Sequence, residues 1–185
     1  MRRLTVQDML IFIDIDGTLS IPRFMNKNNT IVSCMDEEDW INHCVIDNTP
    51  YGLSTPVKGM LEYIKFCKNN NCKVFTLSTC MSSFESKGKN LFLDTYYGEN
   101  LFDDRIYVAN DKFKVKIIKA VCEKYGKDYS EALLIEDSLS VMIMTNKEGI
   151  ETVHVTEITS FIDLLKNIES NKEDDINDKK STSFS

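Results

Sequence analysis

The sequence lacks an apolar run long enough to form a membrane-spanning helix. Arg2 and Arg3 resemble the basic start of a signal peptide, but Asp8, Asp14 and Asp16 interrupt the apolar stretch that should follow. Basic residues are also not in excess: 22 lysines and arginines stand against 29 acidic residues, giving a net charge of −7. A chain of this charge offers no basic surface for nucleic acid or an anionic membrane. We therefore predict a cytoplasmic protein with neither of those partners.

Cysteine pairs with the C-x-x-C spacing are absent, although the chain has six cysteines. In a cytoplasmic protein, cysteines at apolar helix positions are most often buried free thiols. Cys34, His43 and Cys44 could contribute to a zinc site only with a fourth ligand, which the surrounding sequence does not supply at the usual spacing. The cysteine pattern therefore favours neither a disulfide framework nor a zinc site.

Apolar patterning predicts five alternations of strand and helix, a length that suits one domain over residues 1–168. The predicted strands are residues 9–13, 74–77, 105–109, 132–135 and 151–155; the predicted helices are residues 82–97, 111–125, 138–148 and 159–168, with Pro56 opening an earlier one that continues to Cys67. This alternation indicates an α/β fold with a doubly wound, mostly parallel, five-stranded Rossmann-like sheet. The polar, charged segment 169–185 is predicted to be a disordered tail.

Residues 20–55 fall outside this rhythm and are too few to bury a core of their own. We predict a β-hairpin over residues 20–33 that turns at residues 26–29, then a short helix capped by Asp36. The segment is interpreted as a flap and minimal cap inserted after the first strand. Arg23 and Trp40 are the candidates here for contacts with a substrate.

The central stretch of the chain is residues 9–19, in which five apolar residues lead directly into Asp14 and Asp16. Such a run is typical of a strand buried on both faces of a parallel sheet, and Gly17 permits a sharp turn after it. Ligand sites in open α/β sheets lie beyond the carboxyl ends of the strands. Two carboxylates there are costly to bury without a cation or hydrogen bonds, so they suggest a metal site, acid–base chemistry, or both.

Other chemically active residues follow further strands at the same predicted edge. Ser78 ends the second strand, Lys112 opens the helix after the third, and Glu136 and Asp137 end the fourth. Together with Asp14 and Asp16 they provide a carboxylate nucleophile, a second carboxyl for proton transfer, a hydroxyl and an ammonium for phosphate oxygens, and acids for a cation. Each residue alone has an ordinary structural explanation, so the combination carries the prediction of phosphoryl transfer.

These motifs resemble those of the haloacid dehalogenase (HAD) superfamily in its phosphatase branch. Residues 14–19 are similar to the family's first motif, residues 74–78 to its second and residues 132–138 to its fourth, with an acidic pair. The similarity spans residues 9–155 apart from residues 20–55. The chain differs from many relatives in having Val141, where they keep an aspartate, and Thr79 after the hydroxyl of the second motif.

The resemblance implies a role for each matched residue. Asp14 would attack phosphorus to form an aspartyl-phosphate, and Asp16 would protonate the leaving group and then deprotonate the attacking water. Mg²⁺ would be bound by Asp14, the Asp16 backbone carbonyl and Asp137, with Glu136 as a further ligand or an outer acceptor. Lys112 and either Ser78 or Thr79 would hold the phosphoryl oxygens.

Several alternative functions remain open at this point. The substrate is expected to be a small phosphomonoester, and a nucleoside monophosphate is one option because residues 89–112 faintly resemble deoxyribonucleotidases. A phosphotransferase or mutase on the same fold would have to exclude water from the intermediate, which is difficult without a substantial cap. A catalytically idle HAD-fold binding module is the non-enzymatic alternative. Oligomeric state does not follow from these patterns.

Overall fold

The computed structural model describes residues 6–46 and 50–163 of the chain. Its strands are β1 (Leu10–Ile13), β2 (Ser20–Ile21), β3 (Phe24–Met25), β4 (Ile31–Val32), β5 (Thr55–Pro56), β6 (Lys73–Thr79), β7 (Asp104–Val108), β8 (Ala132–Glu136) and β9 (Glu151–His154). Its α-helices are α1 (Glu37–Ile46), α2 (Met60–Asn69), α3 (Ser83–Tyr96), α4 (Lys114–Tyr125), α5 (Leu139–Asn146) and α6 over residues 155–163. Among these residues, no helix has the length and apolar character needed to cross a membrane. The predicted tail over residues 169–185 lies outside the described residues.

Five strands form one parallel sheet in the order β7-β6-β1-β8-β9, which confirms the predicted fold. The central strand is β1, and its last residue, Ile13, lies opposite Thr76 of β6 and Ile135 of β8. Because the three strands run in the same direction, the residues that follow them emerge at one edge of the sheet. This edge contains Asp14, Ser78 and Glu136.

Side chains of β1 alternate between the two faces of the sheet, and both faces are covered by helices. Ile11 and Ile13 pack into the core formed with α2, α3 and α6, whereas Leu10 and Phe12 pack into the core formed with α4 and α5. The Phe12 ring stacks on Phe75 of β6 with ring centroids 5.1 Å apart. Burial on both faces explains why the strand is apolar at every position.

The insertion after β1 contains a hairpin at the predicted turn, but it is shorter than the predicted span of residues 20–33, because Ser20 and Ile21 pair with β5 instead. Strands β3 and β4 pair antiparallel across the turn at residues 26–29. The Asn26 side-chain oxygen accepts hydrogen bonds from the backbone N–H groups of Asn28 and Thr30, each at 2.9 Å, and so closes the turn. Helix α1 follows, and the Asp36 carboxylate accepts from the Asp39 N–H at 2.9 Å, as predicted for its cap.

The helix predicted to open at Pro56 begins later in the structure, at Met60. Pro56 instead pairs with Ser20 in the short antiparallel ladder of β2 and β5, which closes the base of the insertion. Gly59 then turns the chain with a φ of 85°, a conformation that residues with a Cβ rarely adopt. The predicted helix start was wrong because Pro56 pairs with Ser20, which lies 36 residues earlier in the chain.

The insertion packs on helix α3 through an aromatic cluster formed by Phe24, Trp40, His43, Tyr51 and Phe92. Gly88 of α3 makes the close approach possible, since a Cβ there would lie 2.4 Å from Cγ of Pro50. The insertion is thus fixed to the helix that follows β6.

Candidate active site

Asp14 stands immediately beyond the central strand and is buried. Its backbone N–H donates to the Ile135 carbonyl at 3.0 Å, which continues the ladder between β1 and β8 and sets Asp14 beside Glu136. Gly17 then turns the chain with a φ of 78°. The strand ladder and this turn together hold the Asp14 carboxylate at the edge of the sheet, as the sequence predicts.

Lys114 is the cation that contacts Asp14 directly. Its ammonium donates to Oδ1 of Asp14 at 2.9 Å and to Oε2 of Glu136 at 2.7 Å, and it lies 3.2 Å from Oδ1 of Asp111. Only 3% of the Lys114 side chain is exposed. A buried ammonium needs such partners, because desolvation of an unpaired charge is costly.

The expectation that Lys112 fills this role is corrected by the structure, in which Lys112 is exposed and lies away from Asp14. The chain enters the helix through a 3₁₀ turn over Asp111–Phe113, and the Asn110 side chain accepts from the Lys112 N–H at 2.9 Å. A 3₁₀ turn has three residues, so Asp111 and Lys114 stand on the same side. The helix register predicted from the sequence was wrong, and Lys114 faces the strand ends.

The two buried carboxyls at this edge have raised pKa values. Burial raises the pKa of Asp14 to about 6, against the opposing effect of the Lys114 ammonium. Burial and the neighbouring Asp14 charge raise the pKa of Glu136 to about 8. Burial thus makes the ionised form of both carboxyls costly, and a bound cation would stabilise that form.

Carboxylate oxygens of Asp14, Glu136 and Asp137 lie within 4.8 Å of one another, a set of hard oxygen donors that suits Mg²⁺. Gly17 leaves room for this grouping, since a Cβ at that position would lie 2.0 Å from Oδ2 of Asp137. Val141 is buried in the core between α5 and the sheet, so it leaves the cluster without a fourth acid. The residues present therefore fit a magnesium ion, which would be held by these carboxylates.

Asp16 lies two residues beyond Asp14 and accepts hydrogen bonds on both of its carboxylate oxygens. The Tyr51 hydroxyl donates to Oδ1 at 2.9 Å, and the Lys89 ammonium lies 2.8 Å from Oδ2. Tyr51 belongs to the insertion and Lys89 to α3, so two separate elements converge on this side chain.

Ser78 is buried at the end of β6, and its hydroxyl accepts from the Lys89 ammonium at 3.1 Å. The backbone carbonyl of Thr79 accepts from the same ammonium. Both residues therefore lie beside Asp16, and either hydroxyl can still be the one that contacts a phosphate.

Sequence reasoning missed Lys114, Lys89, Glu85 and Tyr51. The buried face of α3 contains Glu85, Gly88, Lys89, Phe92 and Leu93, which recur at the spacing of a core-facing stripe. Charged residues on such a stripe are a detectable signal of a buried site, and this signal was available. Tyr51 gives no comparable signal because its position depends on how the insertion packs.

Arg23 and Trp40, the candidates for substrate contacts, lie apart from the carboxylates at the strand ends. Arg23 is exposed, and it lines a pocket together with Phe24, His43 and Leu53 rather than with the strand ends. Trp40 packs against the Phe24 and Tyr51 rings, with centroids 4.6 and 5.8 Å away, so it stabilises the insertion. A contact between Arg23 and a substrate stays a prediction.

Comparisons with known proteins find similarity at the level of the fold. No family model matches the sequence. No curated protein matches it either. Among solved structures, a HAD-superfamily hydrolase of subfamily IA from Geobacter sulfurreducens is 17% identical with a TM-score of 0.57, over 85% of this chain and 99% of that one.

Two phosphatase structures are also similar in fold. A predicted phosphoglycolate phosphatase from Haemophilus somnus is 15% identical with a TM-score of 0.57, over 81% of this chain and 86% of that one. A phosphoserine phosphatase, solved as an analogue of its phospho-aspartyl intermediate, is 14% identical with a TM-score of 0.52, over 82% and 91%. The chain therefore has the fold of the HAD superfamily of hydrolases.

Proposed function

We propose that this protein is a Mg²⁺-dependent phosphatase that hydrolyses phosphomonoesters through an aspartyl-phosphate on Asp14. The observation that carries the proposal is the placement of a buried aspartate between one lysine and two further acids at the edge of the central strand. Proteins with this fold include phosphatases, one of them studied as a phospho-aspartyl analogue, which supports the same chemistry.

In the first step, an Asp14 carboxylate oxygen attacks phosphorus, the bond from phosphorus to the ester oxygen breaks, and Asp16 gives its proton to the departing alcohol. In the second, water attacks the same phosphorus and passes a proton to Asp16. The phosphorus–oxygen bond to Asp14 then breaks and inorganic phosphate leaves. Asp14 and Asp16 thereby return to their starting states.

Charge decides whether the first step can occur, because Asp14 and a phosphate group repel each other. Lys114 contributes one positive charge at 2.9 Å from the nucleophile. A bound Mg²⁺ would supply further positive charge to offset that of the phosphoryl oxygens. The hydroxyl of Ser78 or Thr79 would donate a hydrogen bond to those oxygens.

The test is a hydrolysis assay on the purified chain with a panel of phosphomonoesters that includes nucleotides, sugar phosphates and an aryl phosphate. Activity should need added Mg²⁺ and vanish with a chelator. Asp14→Asn should lower kcat by at least about 10³-fold, because no other group can carry the covalent step. The matched control is Asp163→Asn. Asp163 is an exposed acid that forms a surface ion pair with Lys58 at 3.7 Å.

Acid quenching during turnover should leave a phosphoryl group on the wild-type protein and none on Asp14→Asn. Substantial turnover by Asp14→Asn, or no hydrolysis of any ester in the presence of Mg²⁺, would overturn the proposal.

A further inference from the structure

Lys89 has the most deeply buried charge among the residues described, with 0% of its side chain exposed. Its ammonium lies 2.8 Å from Oδ2 of Asp16 and 2.9 Å from Oε1 of Glu85, and it donates to Ser78 Oγ at 3.1 Å and to the Thr79 carbonyl. Burial alone would lower the pKa of Lys89, but the Asp16 and Glu85 carboxylates raise it above its ordinary value. Lys89 therefore remains charged.

The partners of this ammonium come from three separate elements. Glu85, one helical turn before Lys89, accepts only one of its three N–H groups. The ammonium also contacts residues that follow two different strands, Asp16 after β1 and Ser78 at the end of β6. Lys89 thus links α3 to both strand ends of the candidate site.

Tyr51 completes the arrangement from the opposite side of the carboxylate. Its ring is buried in the aromatic cluster, and its hydroxyl donates to Oδ1 of Asp16 at 2.9 Å. Burial and the Asp16 charge raise the pKa of the Tyr51 hydroxyl well above its usual value, so the hydroxyl stays a donor. Asp16 itself is 36% exposed, and without these two donors its side chain could turn into solvent.

We propose that Lys89 and Tyr51 are positioning residues for Asp16: they fix its carboxyl so that its proton is directed at the oxygen of the leaving group. This inference rests on the proposed function. A carboxylic acid can donate its one O–H while its remaining lone pairs accept, so both contacts can persist when Asp16 carries the proton. Proton transfer needs the donor within hydrogen-bond reach and correctly oriented, which a fixed carboxyl supplies in every encounter.

The proposal predicts that the loss of activity on removal of Lys89 depends on the leaving group. Lys89→Met keeps the length of the side chain and removes its charge. It should lower kcat/KM for an alkyl phosphate such as glycerol phosphate by about 10²-fold, the size of a general-acid contribution. For dinitrophenyl phosphate, whose phenolate leaves without a proton, the loss should be under about five-fold.

The ratio kcat/KM is the appropriate quantity because it covers the steps up to departure of the leaving group, and excludes hydrolysis of the intermediate. Tyr51→Phe, which retains the ring, should lower kcat/KM for the alkyl phosphate relative to dinitrophenyl phosphate by about ten-fold. The matched control is Lys87→Met, which replaces an exposed lysine two residues earlier in α3. It should leave the relative kcat/KM of the two substrates unchanged.

Lys89→Met leaves Glu85 buried without its partner and so risks misfolding. The double variant Lys89→Met/Glu85→Gln removes one charge of each sign and should restore the Tm, while the selective loss on alkyl phosphates persists. An equal loss on both substrates, or recovery of alkyl phosphate turnover in the double variant, would mean that Lys89 is only structural. If inorganic phosphate inhibits the variant more weakly while the relative kcat/KM of the two substrates is unchanged, Lys89 binds phosphate instead. If the wild type hydrolyses no ester, the proposed function fails first.

Discussion

At the scale of single residues, Lys114 is the group on which the candidate site depends most. It contacts Asp14 at 2.9 Å and Glu136 at 2.7 Å. Lys114→Ala should lower kcat by about 10²- to 10³-fold, because the nucleophile then meets the phosphate without this positive charge. Lys116→Ala, an exposed lysine on the same helix, should stay within about two-fold of wild type, as expected for a surface site.

The stability of Lys114→Ala must be measured beside its activity, since the variant leaves two buried carboxyls unpaired. Lys114→Met/Glu136→Gln removes the lysine together with one of its two buried carboxyl partners, and so separates the two effects. Recovery of turnover in this double variant would show that Lys114 acts on folding alone. Lys112→Ala tests the corrected register directly: a crippling effect there would contradict the structure.

The raised pKa values of Asp14 and Glu136 predict how stability depends on pH. In the folded chain the pKa of Asp14 is about 6, against an ordinary value of 3.8, and the pKa of Glu136 is about 8, against 4.5. Both carboxyls therefore bind protons more tightly in the folded chain than in the unfolded chain. Between about pH 4.5 and pH 8 the folded state therefore holds more protons than the unfolded state, and the free energy of unfolding falls as pH rises. This contribution is fully present below the ordinary values and is lost as pH passes the raised ones.

Thermal melts of metal-free protein at pH 6 and pH 8 should show this loss, compared with Glu136→Gln, in which the drop should be smaller. Added Mg²⁺ should raise the Tm more at pH 8 than at pH 6, because it binds the deprotonated carboxylates. A metal-free Tm that falls no more steeply than that of Glu136→Gln would contradict these assignments.

At the scale of elements, helix α3 joins the insertion to the site. Gly88 lies against Pro50, and one residue further on Lys89 reaches Asp16. In an isolated helix, Gly88→Ala would add about 1 kcal/mol of stability through helix propensity. Here the new Cβ would lie 2.4 Å from a rigid proline ring, and relief of such overpacking costs about 1–3 kcal/mol.

We therefore expect Gly88→Ala to lower the Tm and to move Tyr51 away from Asp16, with a loss of turnover on alkyl phosphates. Chemical denaturation measures the first effect and the kinetic panel the second. Lys87→Ala, one residue earlier and exposed, is the control and should be near neutral. A higher Tm in Gly88→Ala would mean that the insertion does not pack against this helix.

At the scale of the whole molecule, the insertion is small for a cap. It contains two short ladders and one helix, packed on α3, and its described contact with the site is the Tyr51 hydroxyl. A cap of this size encloses little of a substrate beyond the phosphate, so binding energy from the rest of the substrate contributes little to discrimination.

The expected outcome is broad, weak activity on small phosphomonoesters, or a larger partner molecule that itself supplies the missing walls. The substrate panel should be run on the wild type and on a variant with residues 26–29 shortened to a two-residue turn. One small substrate preferred by about 10³-fold would exceed what so little enclosure can supply. It would show that residues 20–55 form a true specificity cap.

The sequence by itself determined the doubly wound sheet and the edge where Asp14, Asp16, Glu136 and Asp137 meet. These features follow from local patterns, because an apolar run specifies a buried strand and parallel strands direct their ends to one edge. The hairpin at residues 26–29 and the Asp36 cap were predictable for the same reason, since their hydrogen bonds join residues at most four positions apart.

Only the tertiary structure decided which lysine reaches the nucleophile and what holds Asp16. Lys114 and Asp14 are 100 residues apart in sequence, and Tyr51 and Asp16 are 35 apart. Such contacts depend on helix register and on the packing of the insertion. The chain enters α4 through a 3₁₀ turn at Asp111–Phe113, and Lys114 rather than Lys112 contacts Asp14. A local pattern specifies which face of an element is buried, whereas the pairing of charges within a site depends on distances between elements that are set only when the chain packs.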